Sequence, residues 1–154
     1  MMFYPDKDKG FRETHRVLTP GGRHVFSVAD TGRYNTYLPI VNDAVCRYFT
    51  SDPPTRMLAP LSYSQVDPIK DSLLAAGFTD IRLTVLTQHR QVADFANFAR
   101  GFVFGTPILH DIRERATRPP EAIVEEVAAA LRQTFGPEPT TIPIQALVFE
   151  ARRE

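Results

Sequence analysis

Apolar residues recur at helical spacing at both ends of the chain. Over residues 8–18, Phe11, His15 and Leu18 follow one another at intervals of four and three, and residues 121–135 carry an apolar stripe of the same kind. Both patterns predict amphipathic helices. Three runs rich in β-branched and aromatic residues predict strands: 23–29, 78–88 and 142–151.

Proline and glycine delimit the other predicted elements. Asp67-Pro68 has the form of a helix start, and Gly77 ends that helix. Further helices are predicted over 36–49, 92–100 and 106–116. Strands that alternate with helices predict a single α/β domain. The run 23–29 is apolar enough to predict a strand covered on both faces, as in a parallel sheet.

Composition and charge exclude several classes of protein. The 154 residues include 18 basic and 18 acidic side chains, so the chain lacks the excess of positive charge that is typical of nucleic-acid-binding proteins. No apolar run is long enough to predict a membrane span. The single cysteine, Cys46, cannot form an intrachain disulfide, which favours a reducing compartment and predicts a cytoplasmic protein. Zero net charge does not oppose self-association.

Few residues suggest chemistry. The four histidines (15, 24, 89 and 110) share no metal-ligand spacing, so we expect no metal site, and no residue stands out as catalytic. Arg33, Tyr34 and Tyr37 follow the first predicted strand, where open α/β sheets bind ligands. They predict either a pocket for an apolar small molecule or an ordinary loop whose tyrosines pack on a helix. Gly101 and Gly105 are expected to mark a bend or a close packing contact.

Three segments resemble a known family. Residues 3–6 read Phe-Tyr-Pro-Asp, residues 16–22 read Arg-Val-Leu-Thr-Pro-Gly-Gly, and residues 73–81 read Leu-Leu-Ala-Ala-Gly-Phe-Thr-Asp-Ile. They resemble the C-terminal half of class I S-adenosylmethionine-dependent methyltransferases of the small-molecule, type 11-like kind. There, a Pro-Gly-Gly turn leads into the fifth strand and an Ala-Gly-Phe turn into the sixth. The run 142–150 would then be the seventh strand, antiparallel between the other two.

The resemblance implies an incomplete Rossmann-like methyltransferase sheet, with residues 1–154 as one domain equivalent to the family's C-terminal half. Met1 would fall at or just past the end of strand four. The family's Gly-x-Gly-x-Gly loop and the acidic residue that ends strand two have no counterpart here. S-adenosylmethionine is therefore the cofactor that the resemblance implies, but we expect no cofactor-binding residue and no autonomous binding by this chain.

The resemblance predicts a truncated methyltransferase-like protein that is inactive alone. We expect it to retain part of the substrate wall, that is, of the residues that line the substrate pocket. We assign substrate binding to five residues: Phe3, Tyr4, Arg33, Tyr34 and Tyr37. The alternatives are a non-enzymatic dimeric remnant or binding module, or a subunit whose partner carries the cofactor site. We also expect a homodimer, because strand 23–29 would lack its neighbouring strand, and neither a nucleic-acid nor a membrane partner.

Overall fold

The computed structural model describes residues 2–154, and its contacts divide the chain into two compact units. Unit 1 comprises the residues up to Thr31 together with Ala59–Thr87 and Gln145–Glu154, and unit 2 comprises Gly32–Leu58 and Gln88–Ile144. That the chain folds as a single domain stays a prediction. Met1, which the resemblance places at or just past the end of the family's strand four, lies outside the described residues.

Helices and strands alternate along the chain, which confirms the predicted α/β class. The elements are α1 (Lys7–Val17), β1 (Arg23–Ala29), α2 (Tyr37–Cys46), a 3₁₀ helix (Arg56–Ser62), α3 (Val66–Ala75), β2 (Thr79–Val92), α4 (Phe95–Gly105), α5 (Ile108–Arg115), α6 (Pro120–Phe135) and β3 (Thr140–Arg152). The bounds of β1 match the prediction. Strand β3 extends beyond its predicted range at both ends, whereas β2 and α4 begin and end later than predicted.

The three strands form one sheet in the order β1-β3-β2, and β1 runs antiparallel to β3. The predicted position of the last strand between the other two is therefore confirmed. Phe26 lies directly opposite Phe149, and their rings stack with centroids 5.2 Å apart.

The prediction that β1 is covered on both faces is wrong. Along β1, His24, Phe26 and Val28 point to the better-buried face, whereas Val25 is 58% exposed. Antiparallel sheets commonly leave one face in water, and β1 is an edge strand of this sheet. Alternating burial is the expected result.

The core of unit 1 lies between the sheet and helices α1 and α3. Phe11 of α1 and Leu73 of α3 are fully buried against Phe149 and neighbouring residues. Arg153, directly after β3, is hydrogen-bonded to the end of α1. Its guanidinium donates to the carbonyl oxygens of His15 (2.8 Å), Arg16 (2.9 Å) and Leu18. These last-turn carbonyls have no partner within their own helix.

The Pro-Gly-Gly turn joins α1 to β1 in unit 1. Gly21 adopts a φ of +78°, which side chains other than glycine rarely accept, and its N–H donates to the carbonyl of Arg153 at 2.7 Å. The N–H of Arg153 donates in turn to the carbonyl of Gly22 at 2.9 Å. The turn is therefore hydrogen-bonded to the chain directly after β3.

Unit 2 is a helical cluster in which α2, α4, α5 and α6 share one apolar core. Val45 of α2, Val103 of α4 and Val127 of α6 are all fully buried there. Helix α4 begins at Phe95 rather than at the predicted residue 92, because the Asp94 carboxylate caps it by accepting from the N–H of Ala96 at 2.8 Å. Among the described residues, no helix is long and apolar enough to cross a membrane.

Candidate functional site

Unit 2 contains a half-enclosed cavity of about 270 Å³ that we call the aromatic cavity. Four of its lining residues share the α4 helix, namely Asn97, Phe98, Gly101 and Phe102, and the others come from elsewhere in unit 2: Tyr37, Arg90, Thr106 and Ile144. The cavity therefore brings together residues that are more than fifty positions apart in the sequence.

Helical periodicity explains why α4 forms one wall of the aromatic cavity. Phe98 and Phe102 are four residues apart, so they lie on one face of the helix, with ring centroids 5.2 Å apart. Tyr37, at the start of α2, completes an aromatic triad, since its ring centroid lies 6.0 Å from that of Phe98 and 5.8 Å from that of Phe102. These distances are typical of tilted and edge-to-face aromatic pairs.

Gly101 provides open space in the same wall. A Cβ atom at this position would have no atom within 4 Å, apart from its own helix backbone and chain neighbours. The prediction of a bend or a close packing contact is wrong at Gly101, because α4 continues through it and a Cβ there would meet no packing neighbour. Gly105 is the last residue of α4 and also lacks a packing neighbour at the Cβ position, so a close contact is wrong there too. At Gly101, the missing side chain widens the aromatic cavity.

Among residues 2–154, Arg90 is the one charged residue that lines the aromatic cavity. Its guanidinium lies 5.6 Å from the ring centroid of Phe98, in a cation–π contact, and it forms no ion pair with any described residue. Burial raises the pKa of Tyr37, while the charge of Arg90 acts in the opposite direction. The tyrosine hydroxyl is therefore protonated at neutral pH and able to donate.

The five residues assigned to substrate binding fall in both units. In unit 2, Tyr37 lines the aromatic cavity, and the Arg33 guanidinium lies 5.7 Å from the ring of Tyr34 on an exposed loop before α2. In unit 1, Phe3 and Tyr4 are 74% and 53% exposed, and Tyr4 borders an open groove of about 590 Å³ along α1. Their role in substrate binding stays a prediction.

Sequence reasoning missed Arg90, Asn97 and Phe98 as cavity residues. The i, i+4 pair Phe98 and Phe102 was the available signal, but it is equally typical of a helix packed in a core. No sequence pattern links Arg90, near the end of β2, to the start of α2.

A polar network lies at the carboxyl end of β1 in unit 1. The Asp30 carboxylate, 8% exposed as a residue, accepts from the N–H of Thr31 at 2.6 Å and from the Gln145 amide at 2.8 Å. The amide oxygen of Gln145 in turn accepts from the Thr87 hydroxyl at 2.9 Å. The network links the end of β1 to β3 and β2, and hydrogen bonding offsets the cost of burying the Asp30 carboxylate.

Metal ligation and thiol chemistry find no support at the described positions. No group of three or more His, Cys, Asp or Glu side chains within residues 2–154 is arranged to hold a metal ion. Burial raises the pKa of the Cys46 thiol, and its sulfur lies 3.7 Å from the carbonyl oxygen of Pro54. A raised pKa disfavours the thiolate that a reactive cysteine needs.

Comparison with known proteins gives only weak structural similarity. No protein-family model matches the chain, and no curated protein matches it. The chain is similar to a phosphoethanolamine N-methyltransferase 2 of Haemonchus contortus, solved with phosphomonomethylethanolamine and S-adenosylhomocysteine, at 14% identity and a TM-score of 0.43. The match covers 99% of this chain but only 31% of that enzyme. Similarity at this level does not establish a shared activity or ligand.

Proposed function

We propose that this chain is the C-terminal part of an S-adenosylmethionine-dependent methyltransferase that acts on a small molecule. The carrying observation is the sheet order β1-β3-β2, with β3 antiparallel to β1. It matches the order that the resemblance implies for strands five, seven and six of the family. The Pro-Gly-Gly turn lies before β1, as the resemblance requires, and is hydrogen-bonded at Arg153.

In this proposal the chain supplies a substrate wall and no cofactor site. The aromatic cavity does not fit S-adenosylmethionine, because its one charged lining residue, Arg90, is a cation and would repel a sulfonium. Its volume of about 270 Å³ is also below the range of ~300–1,000 Å³ typical of sites for drug-sized ligands. The glycine loop and acidic residue that hold this cofactor in the family have no counterpart here. A complete enzyme would then need a cofactor half upstream of β1 or on a partner.

The substrate role rests on aromatic and basic side chains. Phe3, Tyr4, Arg33, Tyr34 and Tyr37 are the residues that we assign to the substrate wall, and Tyr37 lines a cavity in unit 2. Methyl transfer in such enzymes depends mainly on holding the acceptor in line with the methyl group. An aromatic wall would contribute to that positioning without itself transferring a proton.

Two other functions belong to different classes. The chain would be a non-enzymatic homodimer if the catalytic activity of its ancestor has been lost, or a subunit if a second protein supplies the cofactor site. All three proposals share a cytoplasmic location, for which the single cysteine is the support.

The reading frame upstream of Met1, together with S-adenosylmethionine binding, tests the proposal. An in-frame Gly-x-Gly-x-Gly motif, and micromolar cofactor binding by the protein expressed from that longer frame, would support an enzyme of which this chain is the substrate-binding part. A stop codon directly upstream would overturn that proposal and favour the remnant or the subunit. Between those two, methyl transfer restored by a co-purified partner would identify the subunit.

A further inference from the structure

We infer that the aromatic cavity of unit 2 binds a small planar aromatic or conjugated carboxylate, with the ring against the aromatic triad and the anion at Arg90. The inference deepens the proposed function by naming a substrate class, and it rests on that proposal only for the ligand's role as methyl acceptor. Binding itself follows from the chemistry of the cavity.

The aromatic triad determines the shape of the ligand. The rings of Tyr37, Phe98 and Phe102 line one cavity whose volume is about 270 Å³. A flat ring gains offset-stacked or edge-to-face contacts with such walls, and apolar area leaves water. Since the volume is below that of drug-sized sites, a ligand of about one ring fits best.

Arg90 determines the charge of the ligand. Its guanidinium lies 5.6 Å from the ring centroid of Phe98 and forms no ion pair with a described residue, and among the described residues it is the one charge that lines the cavity. A guanidinium fork matches a carboxylate in a bidentate pair, which is stronger than a hydrogen bond between neutral groups. A cationic ligand would be repelled by Arg90, and a neutral ligand would not form the charge-assisted hydrogen bonds that its guanidinium offers.

The other polar side chains that line the cavity, those of Thr106, Tyr37 and Asn97, are hydrogen-bond donors. The Thr106 hydroxyl donates to the carbonyl of Phe102 at 2.8 Å, so its hydrogen is already used. Tyr37 and Asn97 also line the cavity, and their side chains carry a hydroxyl and an amide that can donate to an oxygen atom. The lining thus offers donors around an aromatic wall and no carboxylate, which favours an anion over a cation.

Benzoate and its neutral analogue benzamide test the inference in the isolated chain. In a heteronuclear NMR titration, we expect benzoate to cause saturable shifts at the amides of residues 97–106, with benzamide binding about tenfold more weakly or worse. Arg90→Gln should weaken benzoate by about tenfold, the equivalent of ~1.4 kcal/mol, and leave benzamide unchanged. The matched control is Arg100→Gln, which removes a guanidinium that lies 4.6 Å from the Phe104 ring and does not line the cavity.

A second pair of variants separates cavity filling from unfolding. Gly101→Leu should abolish benzoate binding by filling the cavity, whereas Gly105→Leu, on the same helix but outside the cavity lining, should not. Both positions have open space at Cβ, so both variants should retain the wild-type circular dichroism spectrum. Equal binding of benzoate and benzamide, shifts confined to other residues, or no saturation in the millimolar range would overturn the inference. None of these results bears on the upstream reading frame, so the proposed function is tested separately.

Discussion

At the scale of single residues, His24 shows what burial does to a titratable group. Its ring stacks with Phe26 at 4.9 Å and with Phe78 at 5.7 Å between centroids, and its Nε2 atom is buried without a hydrogen-bond partner among the described residues. Burial lowers the pKa of His24 below its ordinary value of 6.5. The folded chain therefore holds the neutral imidazole, because the charged form would lose its hydration.

This predicts a loss of stability in mild acid. The unfolded chain protonates His24 more readily than the folded chain does, so the stabilisation is complete above pH 6.5 and is lost as the pH falls toward the lower folded-state pKa. His24→Phe keeps a ring in the stack and should flatten the dependence of the urea midpoint on pH between 7.5 and 5. His89→Gln, an exposed histidine, is the control and should leave the dependence unchanged. If His24→Phe and the wild type lose stability equally, burial of His24 is not the cause.

At the scale of elements, the start of α4 depends on a residue more than forty positions away. The Glu138 carboxylate pairs with the Arg132 guanidinium at 2.9 Å and accepts from the N–H of Phe95 at 2.9 Å. The hydrogen bond from Arg132, with a further contribution from the Phe95 N–H, lowers the pKa of Glu138 to about 2. Glu138 thus links α4 to the end of α6.

Glu138→Gln should lower the melting temperature of the protein at pH 7. Because the folded-state pKa of Glu138 is depressed, its contribution is present above about pH 4.5 and is lost as the pH falls toward 2. The difference in melting temperature between variant and wild type should therefore shrink across that range. Glu126→Gln, an exposed change on α6 that removes the same charge, is the control and should have little effect. A difference that persists at pH 2 would show that the effect is not due to this ionised pair.

Local signals explain which elements could be predicted from the sequence. The bounds of β1 follow from a helix-stopping Pro-Gly-Gly turn on one side and Asp30 on the other, both adjacent in the chain. The predicted range 92–100 differs from that of α4 at both ends, because the Asp94 cap sets the start and the helix continues past Gly101 to Gly105. The aromatic cavity could not be predicted from local signals, because Tyr37 and Arg90 are far apart in the sequence and come together only through the packing of unit 2.

At the scale of the whole molecule, β1 offers an open edge to other chains. The N–H of Asp30 donates to the carbonyl of Gln145, and the carbonyl of Gly22 accepts from the N–H of Arg153. The backbone N–H and C=O groups of the even-numbered residues of β1 therefore point toward β3. In an antiparallel ladder the backbone groups of the odd-numbered residues, Val25 among them, then point to the free edge. Edges of this kind recruit other strands, and β1 carries only one charged residue, Arg23, to oppose this.

We therefore expect a homodimer joined through β1. Light scattering should give twice the 17.4 kDa chain mass at micromolar concentration. Val25→Pro removes an N–H that points away from β3, so it should yield monomers while leaving the intrachain ladder intact. Val25→Thr, which keeps that N–H, is the control and should remain dimeric. A stable 17.4 kDa species for the wild type would show that this edge does not associate.

Calorimetric titration of the purified 154-residue chain with S-adenosylmethionine tests the central claim most directly, namely that these residues form the substrate side of a methyltransferase without a cofactor site. The chain lacks the family's glycine loop and acidic residue, and the one charged residue that lines its aromatic cavity in the part of the chain that the structure describes is the cation Arg90. We predict no saturable binding in the micromolar range. Binding with a micromolar or lower Kd would contradict the account, because it would require a cofactor site within this chain.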